Sequence, residues 1–504
     1  MIAGFRMSSP CLLLALVALV GQPTMAAAQY SPPIGIPAPS FGINESHQMY
    51  AGQTYAAGGF AYRDAGNGPY SHYINSSVSC TDTNNTYGTA ANPRCSIPTS
   101  VAAGSVVEIH GGPYTPGAIW TANGTSALPV FWRGVSKTAW PTITGLNDLT
   151  INGTFAIVEF INGDAVRFTL DGSDTTLRRC DVGPYPGGGV GQLVRLAGSR
   201  HVLYDCEIHD NSGIDRHGVF AGAVARDLWI VDNHIHNNSG DSIQFCHSCV
   251  GGVLDGPANV YIGRNRMHDD IENCIDLKEF LGPVIISENE CYNYASSAQS
   301  NGDAIRINDE GLQGEVWILA NRIHDSVIGI NPDDSNSSLN QSVYVIGNIL
   351  WNLSGSGVGL DATFVLNNTI YSVNTGIAQG NEVRNNVIMN ASATAIGTVV
   401  TCSHNLVFGA GSVASACTNR TNANPLFVNT SIGDFRQQAG SPARNAGIVA
   451  SSYQTFLTKY GRSIAFDPDR RPRPLEGTWD LGAYEFGAGG SAPAPTAPTN
   501  LTVR

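Results

Sequence analysis

The sequence predicts an all-β chain wound as a right-handed parallel β-helix, a single-stranded solenoid of about ten or more coils with N- and C-terminal capping segments. Three observations predict it. First, between residues 180 and 405 a small polar residue stands two positions before an apolar one ten times, at intervals of 18 to 32 residues: Cys180, Cys206, Asn233, Asn265, Asn289, Asn321, Asn348, Asn368, Asn386 and Asn405. Periods of this size mark units that bury their apolar faces by stacking on neighbours. Second, each unit carries runs of alternating character, such as Ser242-Ile243-Gln244-Phe245 and Ala304-Ile305-Arg306-Ile307, the signature of half-buried strands. Third, the units show neither a helical period nor a hairpin signal, so their strands pair in parallel from coil to coil. A propeller needs blades of ~40 residues and hairpin turns, and the Leu-x-x-Leu-x-Leu consensus of a leucine-rich horseshoe is absent.

The elements follow in chain order. Arg6, the apolar run Cys11 to Val20 and Thr24-Met25-Ala26-Ala27-Ala28 supply the charged start, apolar centre and small-residue cleavage site of a secretory signal over residues 1–28. That run is too short to span a bilayer, and no other stretch approaches the ~20 apolar residues a membrane helix needs. The expected product is secreted, extracellular or periplasmic, without a membrane span, and a monomer. Residues 29–75, rich in Pro, Gly and Ala, read as an extended lead-in. Residues 76–486 read as the β-helix with its end caps, beginning with the short strands Val106 to His110 and Pro129 to Trp132 and ending in the coil Trp479-Asp480-Leu481-Gly482-Ala483-Tyr484-Glu485. Residues 487–504 form a Gly/Ala/Pro-rich linker and tail.

Charge narrows the partners. The formal net charge is −13, becoming −14 when Arg6 leaves with the signal (−13 − 1), and only 13% of residues are charged against a usual ~25%. Nucleic acid is therefore not an expected partner. An acidic polymer fits only where Lys and Arg gather locally. Ten of the 11 cysteines remain after cleavage, an even number in an oxidising compartment. Cys80 with Cys95 and Cys402 with Cys417 are the favoured pairs, because each closes a short loop at one end of the array. Cys180 and Cys206 fall at equivalent positions on successive coils, bonded or merely stacked. Cys246-His247-Ser248-Cys249 has half the spacing of a zinc site and no second half, which favours a disulfide.

Most columns of the array have a structural reading. Stacked Asn side chains hydrogen-bond to each other and to the turns. A second column reads Asp210, Asn237, Asp269, Asn293, Asp325 and Asn352; a third reads His209, His236, His268, Tyr292, His324, Trp351 and Tyr371. The third points outward by parity, as a sugar-stacking face, a metal ladder or a plain surface stack, and His236 and His268 are its candidates for substrate binding.

Three consecutive coils depart from this pattern. With Ile243, Ile275 and Ile305 aligned inward, the position two before reads Asp241, Asn273, Asp303; the one after reads Gln244, Asp276, Arg306; and three after reads Cys246, Lys278, Asn308. Asp269, Asp270, Glu272 and Glu279 surround them. A Lys beside an Arg and flanked by carboxylates suits proton abstraction alpha to a uronic-acid carboxylate, which needs a neutralising cation and a base. Lys278 is the candidate base if its pKa is lowered, and Arg306 the group that holds the carboxylate or assists departure. Asp241, Glu272 and Asp276, with Asp270 or Asp303 in reserve, are candidate ligands for a hard cation such as Ca2+. Gln244 and Asn308 are further candidates for substrate contact. A salt-bridge patch between rungs is the structural alternative.

Glu272-Asn273-Cys274-Ile275-Asp276-Leu277-Lys278, preceded by Asn238-Ser239-Gly240-Asp241 and followed by Arg306-Ile307-Asn308, resembles the three-part signature of the pectin-hydrolysing polygalacturonases. Glu272 and Asn273 replace that family's paired aspartates, Asn308 replaces its last Lys, and the one comparable His-Gly pair, His217-Gly218, lies upstream. The same segment is similar to β-helical polysaccharide lyases, in which calcium-bound carboxylates sit beside a Lys base. The resemblance covers about seventy residues and implies an acidic polysaccharide substrate. The segment from Asp434-Phe435-Arg436 through Gly440-Ser441-Pro442 to Glu485 resembles the C-terminal coil of exported bacterial β-helix repeat proteins. The leading expectation is a lyase cleaving a uronic-acid-containing polymer by β-elimination. A polygalacturonase-like hydrolase using two of Asp241, Glu272 and Asp276 is the alternative, and a non-catalytic carbohydrate-binding or surface protein is the third.

Overall fold

The computed structural model describes residues 30–145, 148–186, 191–246, 256–308, 314–332, 342–360 and 363–487. The signal segment 1–28, Cys249 and nearly all of the tail 487–504 lie outside the described residues. The chain is a right-handed parallel β-helix, with three strands per coil. One coil runs Arg216–Ala221, Arg226–Val231 and His234–His236; the next runs Ile243–Phe245, Ala258–Gly263 and Arg266–His268; then follow Ile275–Leu277, Val284–Ser287 and Glu290–Tyr292, and then Asp303–Ile307, Val316–Leu319 and Arg322–His324. Each strand pairs in parallel with its counterpart one coil on, so the coils share a first, second and third sheet. Val219, Ile243, Ile275, Ile305 and Ile330 stand in one register. Together with Phe245, Leu277 and Ile307 they are wholly buried, each contributing about 1.5–3 kcal/mol of apolar transfer.

The Asn column turns the corner between the second and third sheets. The residue before each Asn is left-handed, from Asp232 (φ 59°) and Arg264 (50°) to Asn385 (58°) and His404 (53°). That twist aims the Asn side chain along the coil axis. Nδ2 of Asn265 donates to Oδ1 of Asn289 (3.0 Å) and to the carbonyl of Ile230 (2.8 Å), while its own Oδ1 accepts from the amide and Nδ2 of Asn233 (both 2.9 Å). The pattern repeats to Asn405. The second column has a backbone cause. Asp210, Asn237, Asp269, Asn293, Asp325 and Asn352 all have φ between 50° and 64°, a region that Asn and Asp enter more cheaply than other side chains.

Cys80–Cys95 and Cys402–Cys417 are disulfides, Cys246 is disulfide-bonded, and Cys180 and Cys206 are buried free thiols stacked at the head of the Asn column. Cys274–Cys291 is an additional bond inside one coil.

The outer face of the second sheet is apolar and covered. Ile34, Ile36 and Ile43 of the N-terminal segment pack there with Trp229, Val231 and Ile285, and the helix Ser451–Tyr460 sets Phe456 against Trp317 at 4.8 Å. Farther along, Phe435 lies against Trp351 and Tyr371 of the third sheet, and Leu481 and Ala483 against Val387 and Leu406. The C-terminal segment therefore folds back along the flank rather than adding a coil over the open edge, because Trp317, Tyr344, Ile349 and Val387 point outward and need cover. The first sheet presents polar side chains outward instead, and the unusual rungs lie there.

Candidate active site

The strands Ile243–Phe245, Ile275–Leu277 and Asp303–Ile307 place Gln244, Asp276 and Arg306 directly opposite one another on the outer face of the first sheet. Lys278 projects from the same face two residues past Asp276 and binds it, Nζ to Oδ2 at 2.7 Å. Arg306 is level with Asp276, not with Lys278, and its guanidinium lies 3.9 Å from Asp303. Asn308, one residue past the Leu277/Ile307 pair, is level with Lys278 and buried.

One rung upstream the structure adds two residues that the sequence columns left out. Val219 pairs with Ile243, so His217 is level with Asp241. Its Nδ1 lies 3.0 Å from the amide nitrogen of Asp241 and 3.3 Å from the Asp241 carboxylate, and its Nε2 lies 3.2 Å from Asp215. Burial alone would lower the imidazole's pKa; the flanking carboxylates outweigh it and push the value up to about 10. Extending the column that begins at Asp241 back by one coil would have found His217, and the pair His217-Gly218 was visible in the sequence.

Asp241 is fully buried. Its Oδ1 accepts from the amide (2.9 Å) and Nδ2 (2.8 Å) of Asn273, whereas among the described residues Oδ2 has only the His217 imidazole beside it, at 3.3 Å. Glu272 Oε1 and Asp276 Oδ1 are buried without a donor. Leaving a buried acceptor unmatched costs about 1–3 kcal/mol, and here Glu272 and Asp276 of one coil each do so among the described residues. Burial, then the charges of Asp241 and Asp215, push Glu272 up to about 8; burial, then Asp241, push Asp276 up to about 7. Oxygen donors whose protons are held this tightly by mutual repulsion fit a hard divalent cation. Asp215, His217 and Glu272 also bring ligand atoms within 4.8 Å of one another.

Asp270 and Asp303, the reserve ligands, have other work. Asp270 Oδ1 accepts from the amide and side chain of Asn238 (2.6 and 2.9 Å) and Oδ2 from Ser242, deep in a turn. Asp303 is held between Arg306 and Asn331. Lys278 departs from the expectation of a lowered pKa: burial pulls it down, but Asp276 outweighs that and raises it.

A groove of about 670 Å3 continues upstream from the cluster, lined by Thr150, Arg167, Arg195, Asp215, His217 and Gln244. Arg167 is paired with Asp148 of the same lining at 2.8 Å, and Arg195 is the exposed arginine of the groove. A larger cavity of about 970 Å3 lies where the N-terminal segment crosses the second sheet, but Arg133, Arg178 and Glu159 within it are paired at 2.8–3.1 Å.

The structure does not bring His236 and His268 to this cleft. They stand on the third sheet, in a file of rings whose faces cover one another: His209 on His236 (5.4 Å, 11°), His236 on His268 (5.2 Å, 4°), His268 on Tyr292 (4.6 Å, 19°), Tyr292 on His324 (5.0 Å, 1°) and His324 on Trp351 (4.0 Å, 16°). Coil spacing of ~4.8 Å leaves no room for a sugar between stacked rings.

No family model matches the chain, and no curated protein matches it. Among solved structures it is similar to pectate lyase Pel9A (14% identity, 82% of this chain and 96% of that one, TM-score 0.41). It is also similar to a PL6 family polysaccharide lyase from Pseudopedobacter saltans (10% identity, 69% and 95%, TM-score 0.39) and to PfbA, a surface adhesin of Streptococcus pneumoniae (12% identity, 64% and 83%, TM-score 0.34). Among the described residues no helix is long and apolar enough to cross a membrane.

Proposed function

We propose that the chain is an exported polysaccharide lyase that cleaves a uronic-acid polymer by β-elimination, with Ca2+ held by Asp241, Glu272 and Asp276. The observation that carries this reading is the set of buried carboxylates Asp241, Glu272 and Asp276 beside Lys278 and Arg306, with one oxygen of Glu272 and one of Asp276 reached by no donor among the described residues. When bound, the cation supplies positive charge against the substrate's carboxylate and so acidifies the proton alpha to it. Lys278, in its neutral form, takes that proton. The released electron pair forms the carbon–carbon double bond as the glycosidic C–O bond breaks, the departing oxygen takes a proton from solvent water to become a hydroxyl, and Arg306 steadies the substrate carboxylate or that oxygen. With Asp276 engaged as a cation ligand, the main influence that raises the pKa of Lys278 is withdrawn. Gln244 and Asn308 border the reacting sugar, and Arg195 meets a carboxylate farther along the groove. Carboxylates that raise one another's pKa suit a ligand cluster, whose charge a bound cation would offset.

The test is a screen of the purified full chain against polygalacturonate, alginate and other uronic-acid polymers, reading the near-ultraviolet absorbance of the unsaturated product. The expected result is product from at least one polymer, abolished by chelator, restored by Ca2+ and absent for Lys278→Ala with an unchanged melting curve. Saturated product, or full activity in Lys278→Ala, would overturn it.

A further inference from the structure

The third sheet carries a second cluster that the cleft chemistry does not use. Three successive rungs put Glu207 opposite His234 and His236 opposite His268. Nε2 of His236 lies 3.3 Å, and Nδ1 of His234 3.8 Å, from Oε1 of Glu207. Glu207, His234 and His236 each offer a ligand atom within 4.8 Å of the other two. Donors bound at ~2.0–2.1 Å around a tetrahedral ion lie roughly 3.3 Å apart, so these separations are near those of a bound metal.

The hydrogen bonding shows which atoms hold protons: Nε2 of His236 donates to Glu207 Oε1 (3.3 Å) and would give up that proton to a metal. Nδ1 of His268 donates to Asp269 Oδ2 (2.6 Å), which leaves its Nε2 a lone pair. That lone pair faces Nε2 of His234 at 2.8 Å, so His234 carries its proton there. Nδ1 of His234 is then a bare acceptor turned toward a carboxylate, and two acceptors facing each other make a seat for a cation. The chain Asp269, His268, His234 is also the outer-shell arrangement that orients metal-binding imidazoles. The other histidines of the file are committed differently: His209 to Asp181 (2.9 Å) and Asp210 (2.8 Å), and His324 to Asp325 (2.7 Å).

We propose that Glu207, His234 and His236 form a site for a first-row transition-metal dication, with Zn2+ the probe of choice, clipping adjacent rungs of the third sheet on a face separate from the cleft. Two imidazoles and one carboxylate favour Zn2+, Ni2+ or Cu2+ over the hard cation suited to the oxygen-only cluster.

The experiment is a calorimetric Zn2+ titration of the full chain, stripped with chelator and supplied with Ca2+, with Co2+ absorption as a second readout. The expected result is one saturable Zn2+ per chain at micromolar or tighter Kd and a tetrahedral Co2+ spectrum. Glu207→Gln and His236→Ala should each weaken binding at least tenfold, whereas His324→Ala and Glu272→Gln leave it unchanged. If His236→Ala fails to fold, His236→Gln takes its place. Absence of saturable uptake, or uptake lost in Glu272→Gln but kept in His236→Ala, overturns the proposal; the second outcome would move the metal to Asp215, His217 and Glu272. Failure here leaves the lyase reading standing, since that reading is measured by unsaturated product.

Discussion

The Asn corner and the charged rungs of the first sheet are built on the same coils, and both bury polar side chains. They differ in whether those side chains are satisfied. Along the corner every Asn from Asn265 to Asn386 gives two hydrogen bonds and receives two. On the charged rungs Glu272 and Asp276 each keep an oxygen that no described donor reaches, and Asp241 keeps one with only the His217 imidazole beside it. A repeating fold can make a buried polar column nearly free of strain, so the unsatisfied carboxylates in adjacent coils are where the proposed chemistry would be set against stability. Substitutions should therefore split the molecule in two, with losses of activity at one place and losses of stability at the other.

The largest effect is expected at Asp276. Asp276→Asn keeps the shape and removes both a cation ligand and the partner of Lys278. The rate of unsaturated product formation should fall by about a thousandfold or more, while the metal-free protein melts at the same temperature or higher because a repelled buried charge is gone. A variant that melts lower and keeps its rate would erase the contrast between the two regions.

Asn321→Ala tests the other side. It strands the amide and Nδ2 of Asn289, which both donate to Asn321 Oδ1, and it leaves the Ile286 carbonyl without its donor. The expected cost is about 3 kcal/mol, read as a lowered urea midpoint, with kcat/KM within about twofold of the parent chain.

Protons and cation compete for the charged rungs, which gives the contrast a pH dependence. Glu272 and Asp276 titrate at about 8 and about 7, above their unfolded values. Carboxylates raised in the folded state favour folding at low pH, and that contribution is lost as pH rises through 7 to 8. In chelator, thermal stability should therefore decline between pH 5 and pH 8, and Ca2+ should restore it at the upper end. Calorimetry should show Ca2+ binding about tenfold or more tighter at pH 8 than at pH 6. Affinity that is flat with pH would show that these carboxylates are not the ligands.

How much of this was legible in the sequence follows from repetition and parity. The Asn corner was readable because it recurs, and the alignment of Gln244, Asp276 and Arg306 because side chains alternate across a strand. The offset between Arg306 and Lys278 followed from the same count. Parity says that a side chain points outward but not which of three sheets it stands on, so it could not place His236 and His268 on the third sheet, away from the first. His217 and Asp215 escaped because their strand lies one coil above the charged motif. Asp276 and Lys278 were both known to face outward, but whether Asp276 would raise or a cation lower the basicity of Lys278 depends on a distance of 2.7 Å. Cys274–Cys291 was illegible because both residues sit at core positions, where a buried thiol and a disulfide look alike.

The smallest expected effect sharpens the comparison most, because it concerns two positions where the corner itself is incomplete. At its head, Cys206 stands where the register calls for Asn. Its amide donates to Asn233 Oδ1 (3.1 Å), its Sγ receives a long contact from the Cys180 amide (3.4 Å), and the same Sγ lies 3.6 Å from the Leu177 carbonyl. These are the partners an asparagine would use: an amide to accept from, a carbonyl to donate to, and the next Oδ1 in line. Cys206→Asn should therefore extend the column by one rung and stabilise the protein by about 0.5–1 kcal/mol, read as a raised urea midpoint with unchanged activity. The opposite outcome would mean that space around the Cys180 and Cys206 thiols, rather than hydrogen bonding, decides which residue turns the corner there.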